Sequence, residues 1–124
     1  TKRGRAAAGL AVKTLGEREH QWHSVFATTI NHPATLWRGL ARFAGAHIYS
    51  HDGDVLMADR NLLGLHVTDR GDRTLHLPKA VKPYDLVHRQ WLADRPTRIL
   101  RLPATATAPL THMIQLCPAA YPDS

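Results

Sequence analysis

At 124 residues, with 44% hydrophobic and 21% charged composition, the chain is long enough to bury one hydrophobic core and is neither disordered nor fibrous. Its longest apolar run, Ala6 to Val12, is seven residues, far short of the roughly 18 that a spanning helix needs, so no membrane association is expected. The net charge of +6 is uneven: residues 1–46 carry seven basic and two acidic groups, residues 47–124 nine and eight.

Residues 1–5 form a basic arm with Lys2, Arg3 and Arg5. Such an arm reads as a solvated terminus with at most weak, salt-dependent affinity for polyanions. The chain opens on Thr1 rather than methionine, the expected start of a fragment or of a trimmed chain. A secretory leader is not expected, because Lys13 ends the apolar run and no small-residue cleavage pattern follows. Ala6 to Thr14 is a short apolar stretch, Gly16 to Glu19 a polar turn, and Trp22 to Thr29 has strand composition, so a β-hairpin is predicted. Pro33 suits the first turn of a helix, and Leu36, Trp37, Leu40, Ala41, Phe43 and Ala44 follow at helical spacings before Gly45. Trp37 is expected in the core.

Beyond Gly45 the rhythm becomes that of strands. They are expected near His47–Ser50, Val55–Ala58, Leu62–Val67, Thr74–Leu77, Ala80–Leu86, Arg98–Leu102 and Leu110–Leu116, with boundaries such as Asp52-Gly53, Arg70-Gly71-Asp72 and Leu77-Pro78. The fold class is mainly β (α+β): a hairpin and one helix, then a seven-stranded antiparallel sandwich or open barrel. Pro103 to Pro109 reads as a loop or edge, and residues 117–124 as a tail. Cys117, the single cysteine, makes no internal disulfide and reads as a small buried residue, and the cytoplasm is the expected compartment.

Chemistry-bearing patterns are sparse. His47 and His51 are four apart; in an extended strand they stand about 13 Å from one another, too far for one ion, so no metal site is expected. Glycoside hydrolysis needs two opposed carboxyl groups. The two glutamates share one turn, and nearly every aspartate, Asp52, Asp54, Asp59, Asp69, Asp72 and Asp94 among them, sits at a predicted turn, so no catalytic residue is assigned and no cofactor is implied. There is no nucleophile elbow and no phosphate-cradling glycine loop. The candidate binding residues are Trp22, His47, Tyr49, His51 and Trp91, with carbohydrate as the ligand class that exposed indoles suit. Nucleic acid is a weaker alternative, since eight aromatics form no paired stacking pattern.

Several segments together carry a resemblance: Trp22-x-Ser24-Val25, Leu36-x-Arg38-x-Leu40-Ala41, Ala44-Gly45-Ala46-His47-Ile48-Tyr49-Ser50, Gly53-Asp54-Val55, Asn61-x-Leu63, Arg73-x-Leu75-x-Leu77-Pro78 and Tyr84-Asp85-Leu86. The pattern resembles the C-terminal end of bacterial glycoside hydrolases of the β-galactosidase type. The resemblance implies that a catalytic barrel and most of a flavodoxin-like trimerisation domain precede this chain. Residues 6–46 are then the last hairpin and helix of that domain, and residues 47–116 a small all-β domain. It further implies a non-catalytic accessory role, with partners in upstream domains or in self-association. An independent carbohydrate-binding β-module is the rival expectation.

Overall fold

The structure, a computed structural model, describes residues 9–103 and 109–118. The basic arm, the centre of the Pro103 to Pro109 segment and the end of the tail lie outside the described residues. The described chain is mainly β, with one α-helix, and divides into two compact units meeting at Trp37/Arg38.

In the first unit, strands β1 (Leu10–Leu15) and β2 (Trp22–Ala27) pair antiparallel, from Leu10 opposite Ala27 to Leu15 opposite Trp22. Gly16 opens their connection with φ 86°, followed by a 3-10 turn at Arg18–His20. At the open end Gly9 O accepts from Thr28 N at 3.1 Å and Thr28 Oγ1 at 3.2 Å. The register puts Leu10, Val12, Val25 and Ala27 on one face and Leu15, Trp22 and Phe26 on the other. Most of these side chains are exposed.

Helix α1 (Ala34–Phe43) begins just after Pro33 and ends in a Schellman motif. Ala46 N donates to Ala41 O at 2.8 Å and Gly45 N to Arg42 O at 3.0 Å, with Gly45 at φ 76°. Trp37 is not in the core as expected. Its indole is 58% exposed and meets the edge of the His32 ring, 6.1 Å away.

In the second unit β3 (Val55–Ala58), β4 (Leu62–Val67), β8 (Leu110–Pro118), β5 (Arg73–Asp85) and β6 (Gln90–Trp91) follow one another across one antiparallel sheet, and β7 (Thr97–Leu102) pairs with β5. Strand β8 gives its first half to β4 and its second to β5. Strand β5 shifts register against β7 between His76 and Val81. These two strands curl the sheet around one core: Leu63, Leu65, Val67, Leu75, Leu77, Val81, Leu100, Leu102, Ile114 and Leu116. Tyr49, Leu56 and Leu92 close its margins.

Three expectations change here. Thr74–Leu77 and Ala80–Leu86 are one strand of 13 residues. Pro78 does not break it, because it falls in the register shift, where its missing N–H costs no ladder bond. His47–Ser50 is not a strand; its place beside β5 is held by one backbone bond, His76 N to Tyr49 O at 2.7 Å, and by a side chain, with His47 Nε2 donating to His76 O at 2.6 Å. Six strands, one of them the two-residue β6, form one curled antiparallel sheet, where seven were expected.

Candidate functional site

Because side chains alternate along strands, the face turned away from the core is read directly from the register. Leu62 stands opposite Gln115, Gln115 opposite Tyr84, and Tyr84 opposite Trp91. Each is flanked by core-facing or turn residues, so the four make one outward row across β4, β8, β5 and β6, spanning about 14 Å at the usual strand spacing. Trp91 is 49% exposed, and its ring meets that of Tyr84 edge-on at 4.9 Å and 71°. Lys82, one outward position along β5 and opposite Cys117, places Nζ 4.4 Å from the Trp91 ring centroid.

Beside this row lies a second, Met57, Gly64 and Met113. Gly64 has no side chain to fill it, and an open depression of about 340 Å³ results, floored by Gly64 and walled by Met57, Leu62, Met113 and Asp59. The outer face therefore offers an apolar hollow, an amide, two aromatic rings and a cation side by side.

The structure brings three of the expected binding residues together elsewhere. His47 and Tyr49 meet edge-to-face at 4.7 Å. Arg42 Nη2 donates to His51 Nδ1 at 2.9 Å, and the His51 ring lies 5.6 Å from that of His76. The hydrogen bonds of His47 and His51 fasten the segment after α1 onto β5 and α1, which is a structural task. A cleft of about 250 Å³ beside them is lined by Arg38, His47, Tyr49 and Asp52. Trp22 belongs to the other unit, opposite Leu15, and is exposed. Among the described residues no three His, Cys, Asp or Glu side chains are grouped as metal ligands.

Two carboxylates are buried: Asp54, from a predicted turn, and Asp85, from a predicted strand. Asp54 is buried against Arg73, which also bonds Asp69. Asp85 closes β5 on the core side and accepts from Val87 N at 2.9 Å, His88 N at 3.0 Å and His88 Nδ1 at 2.8 Å. Burial works to raise its pKa, but the His88 and Val87 donors outweigh it and hold the carboxyl below the usual carboxylate value. His112 is pushed down by burial, with Asp85 opposing and His88 adding to that shift.

Tyr84, Lys82 and Gln115 were not singled out from the sequence. The β5–β6 pairing puts Tyr84 and Lys82 beside Trp91, and the pairing of β8 with β5, strands far apart in the chain, adds Gln115 to the row. No family model, curated protein or solved structure matches the chain.

Proposed function

We propose that this chain is a non-catalytic accessory module that binds carbohydrate on the outer face of its sheet, consistent with a place in a glycoside-hydrolase-like protein. The observation that carries this reading is the row Gln115, Tyr84 and Trp91. A half-exposed indole stacks on the apolar face of a sugar ring, and an adjacent amide and phenol supply hydrogen bonds to its hydroxyls. A row crossing four strands suits an oligosaccharide better than a single sugar. A non-catalytic role is favoured because the buried carboxylates are engaged, Asp54 by Arg73 and Asp85 by the turn it caps. Titration with neutral galacto-, gluco- and xylo-oligosaccharides tests the reading. Binding is expected to vanish in Trp91→Ala and to persist in Trp22→Ala; binding that survives Trp91→Ala overturns it.

A second reading, assembly, is supported by the hairpin of the first unit. Leu10, Val12 and Val25 on one face and Trp22 and Phe26 on the other are exposed, and an isolated two-stranded ribbon is marginal in water. Its apolar faces fit further domains of the same protein or a second copy. Light scattering across a concentration series distinguishes self-association from a monomer.

A further inference from the structure

The cations of the sheet differ in what they touch. The Arg73 guanidinium is engaged by Asp54, Asp69 and the Gly71 carbonyl. Arg98 donates to Pro78 O at 3.0 Å. Lys82 has no such acceptor: its ammonium stands against the Trp91 ring, and among the described residues no carboxylate is within ion-pairing distance of it. Opposite it on β8 is Cys117, and the next outward residue on β5 is Tyr84. The acid nearest that end of β5, Asp85, faces the core and is taken by His88. Asp59 belongs to the far end of the row, beside Leu62, three strands away. Arg89 is exposed in the turn just before β6, two residues before Trp91 in the chain.

A sugar stacked on the uncovered part of the Trp91 ring therefore brings its ring substituents beside a cation that, among the described residues, no carboxylate pairs. A neutral glycan gives the ammonium a hydroxyl. A glycan with a carboxylate or sulfate gives it a charge-assisted hydrogen bond next to a low-dielectric ring, which is considerably stronger. We propose that this face selects acidic oligosaccharides, with Lys82 as the residue that reads the acidic group. The inference rests on the carbohydrate reading above and adds the ligand's charge class to it. An acidic glycan is favoured over a single-stranded nucleic acid because the two rings meet edge-on and leave one stacking surface, and because among the described residues Lys82 is the one cation seen against the Trp91 ring, too few to track a phosphate backbone.

The test uses the full chain and four probes: an oligogalacturonide, its fully methyl-esterified form, a sulfated oligosaccharide of similar length, and oligo(dT). The oligogalacturonide is expected to bind roughly tenfold or more tighter than its methyl ester. Lys82→Met is expected to remove that difference while changing methyl-ester binding by less than about twofold. Lys82→Arg is expected to keep it, and unchanged thermal unfolding of both variants shows that the sheet is intact. The sulfated probe tells whether carboxylate alone is read or any anion. Equal binding of acid and ester, with Trp91 still required, overturns the inference and leaves the carbohydrate reading standing. Absence of binding to both glycans overturns both. Tighter, Lys82-dependent binding of oligo(dT) replaces the proposal with a nucleic-acid site.

Discussion

Asp54 and Arg73 are joined by two parallel hydrogen bonds, Nη2 to Oδ1 at 3.1 Å and Nε to Oδ2, with 4% and 9% of their side chains exposed. Arg73 occupies a core-facing position at the start of β5, where an unpaired guanidinium is not tolerated. The Asp54 bond, then the Asp69 bond, raise its pKa further, against burial, so it stays charged throughout. The pair thereby ties the segment that leads into β3 to the first residue of β5. Its value lies in completeness: with one partner removed, the other is buried without compensation. Asp54→Asn is expected to lower the urea midpoint clearly. Asp69→Asn, whose carboxylate is 77% exposed, is expected to lower it much less. Equal effects would falsify the assignment of Asp54 as the buried anchor.

The alternation along β5 and β7 gives a direct comparison of the two sheet faces. Leu75 is fully buried in the core, and Ile99 on the paired strand is 51% exposed. Leu75→Ala is expected to cost about 2–5 kcal/mol in urea unfolding. Ile99→Ala is expected to stay within about 0.5 kcal/mol. A reversed order requires a different curl of the sheet.

Local pattern was readable where local chemistry decides the backbone. Pro33 and Gly45 mark the helix because one suits its first turn and the other takes the positive φ of its C-terminal motif. Leu62–Val67 alternates buried and outward residues because one face meets the core. What failed depended on distant partners. Leu77-Pro78 reads as a break, yet the register shift against β7 absorbs the proline. His47–Ser50 reads as a strand, yet His47 uses its imidazole where a strand would use its backbone. Trp91 was legible as a candidate because it is an indole near turn residues. Its companions were not: Tyr84 and Lys82 come beside it through the register of β5 against β6, and Gln115 joins the row only when β8 pairs with β5.

Acid sensitivity should come in two stages. His112 has its pKa lowered from the ordinary 6.5 by burial, so the folded state binds its proton less readily than the unfolded chain. Its contribution is full above 6.5 and is lost as pH falls below that value. Asp85 also has its pKa lowered, by the His88 and Val87 donors against the opposing effect of burial. Its contribution is full above the ordinary carboxyl value of 3.8 and is lost only as pH falls below it. Urea midpoints measured from pH 8 to pH 3 are expected to fall in two steps, the first below 6.5 and the second below 3.8. His112→Leu removes the first step and Asp85→Asn the second; a single step in both variants and in the wild type contradicts this assignment.

Two glycines separate a required conformation from an available space. At Gly16 the backbone has φ 86°, and a Cβ would collide with the carbonyl oxygen of His20, so both the dihedral and the room demand glycine. The turn that closes β1 on β2 depends on it. At Gly64 a Cβ meets Met113 Sδ at 3.6 Å and Met57 O at 3.9 Å, which are ordinary contacts, and no strained dihedral opposes it. A strand glycine costs about 0.5–1 kcal/mol relative to alanine, so Gly64→Ala is expected to hold or raise stability by up to about that amount. Gly16→Ala is expected to cost more than about 1 kcal/mol locally, read as faster amide exchange in Leu10–Leu15 and Trp22–Ala27. Gly64→Ala should also reduce the hollow beside the Gln115, Tyr84 and Trp91 row. If oligosaccharides use that hollow, affinity falls while stability does not, a separation that damage to the fold cannot produce. Gly16→Ala with unaltered exchange in both strands means that another turn closes the hairpin in solution.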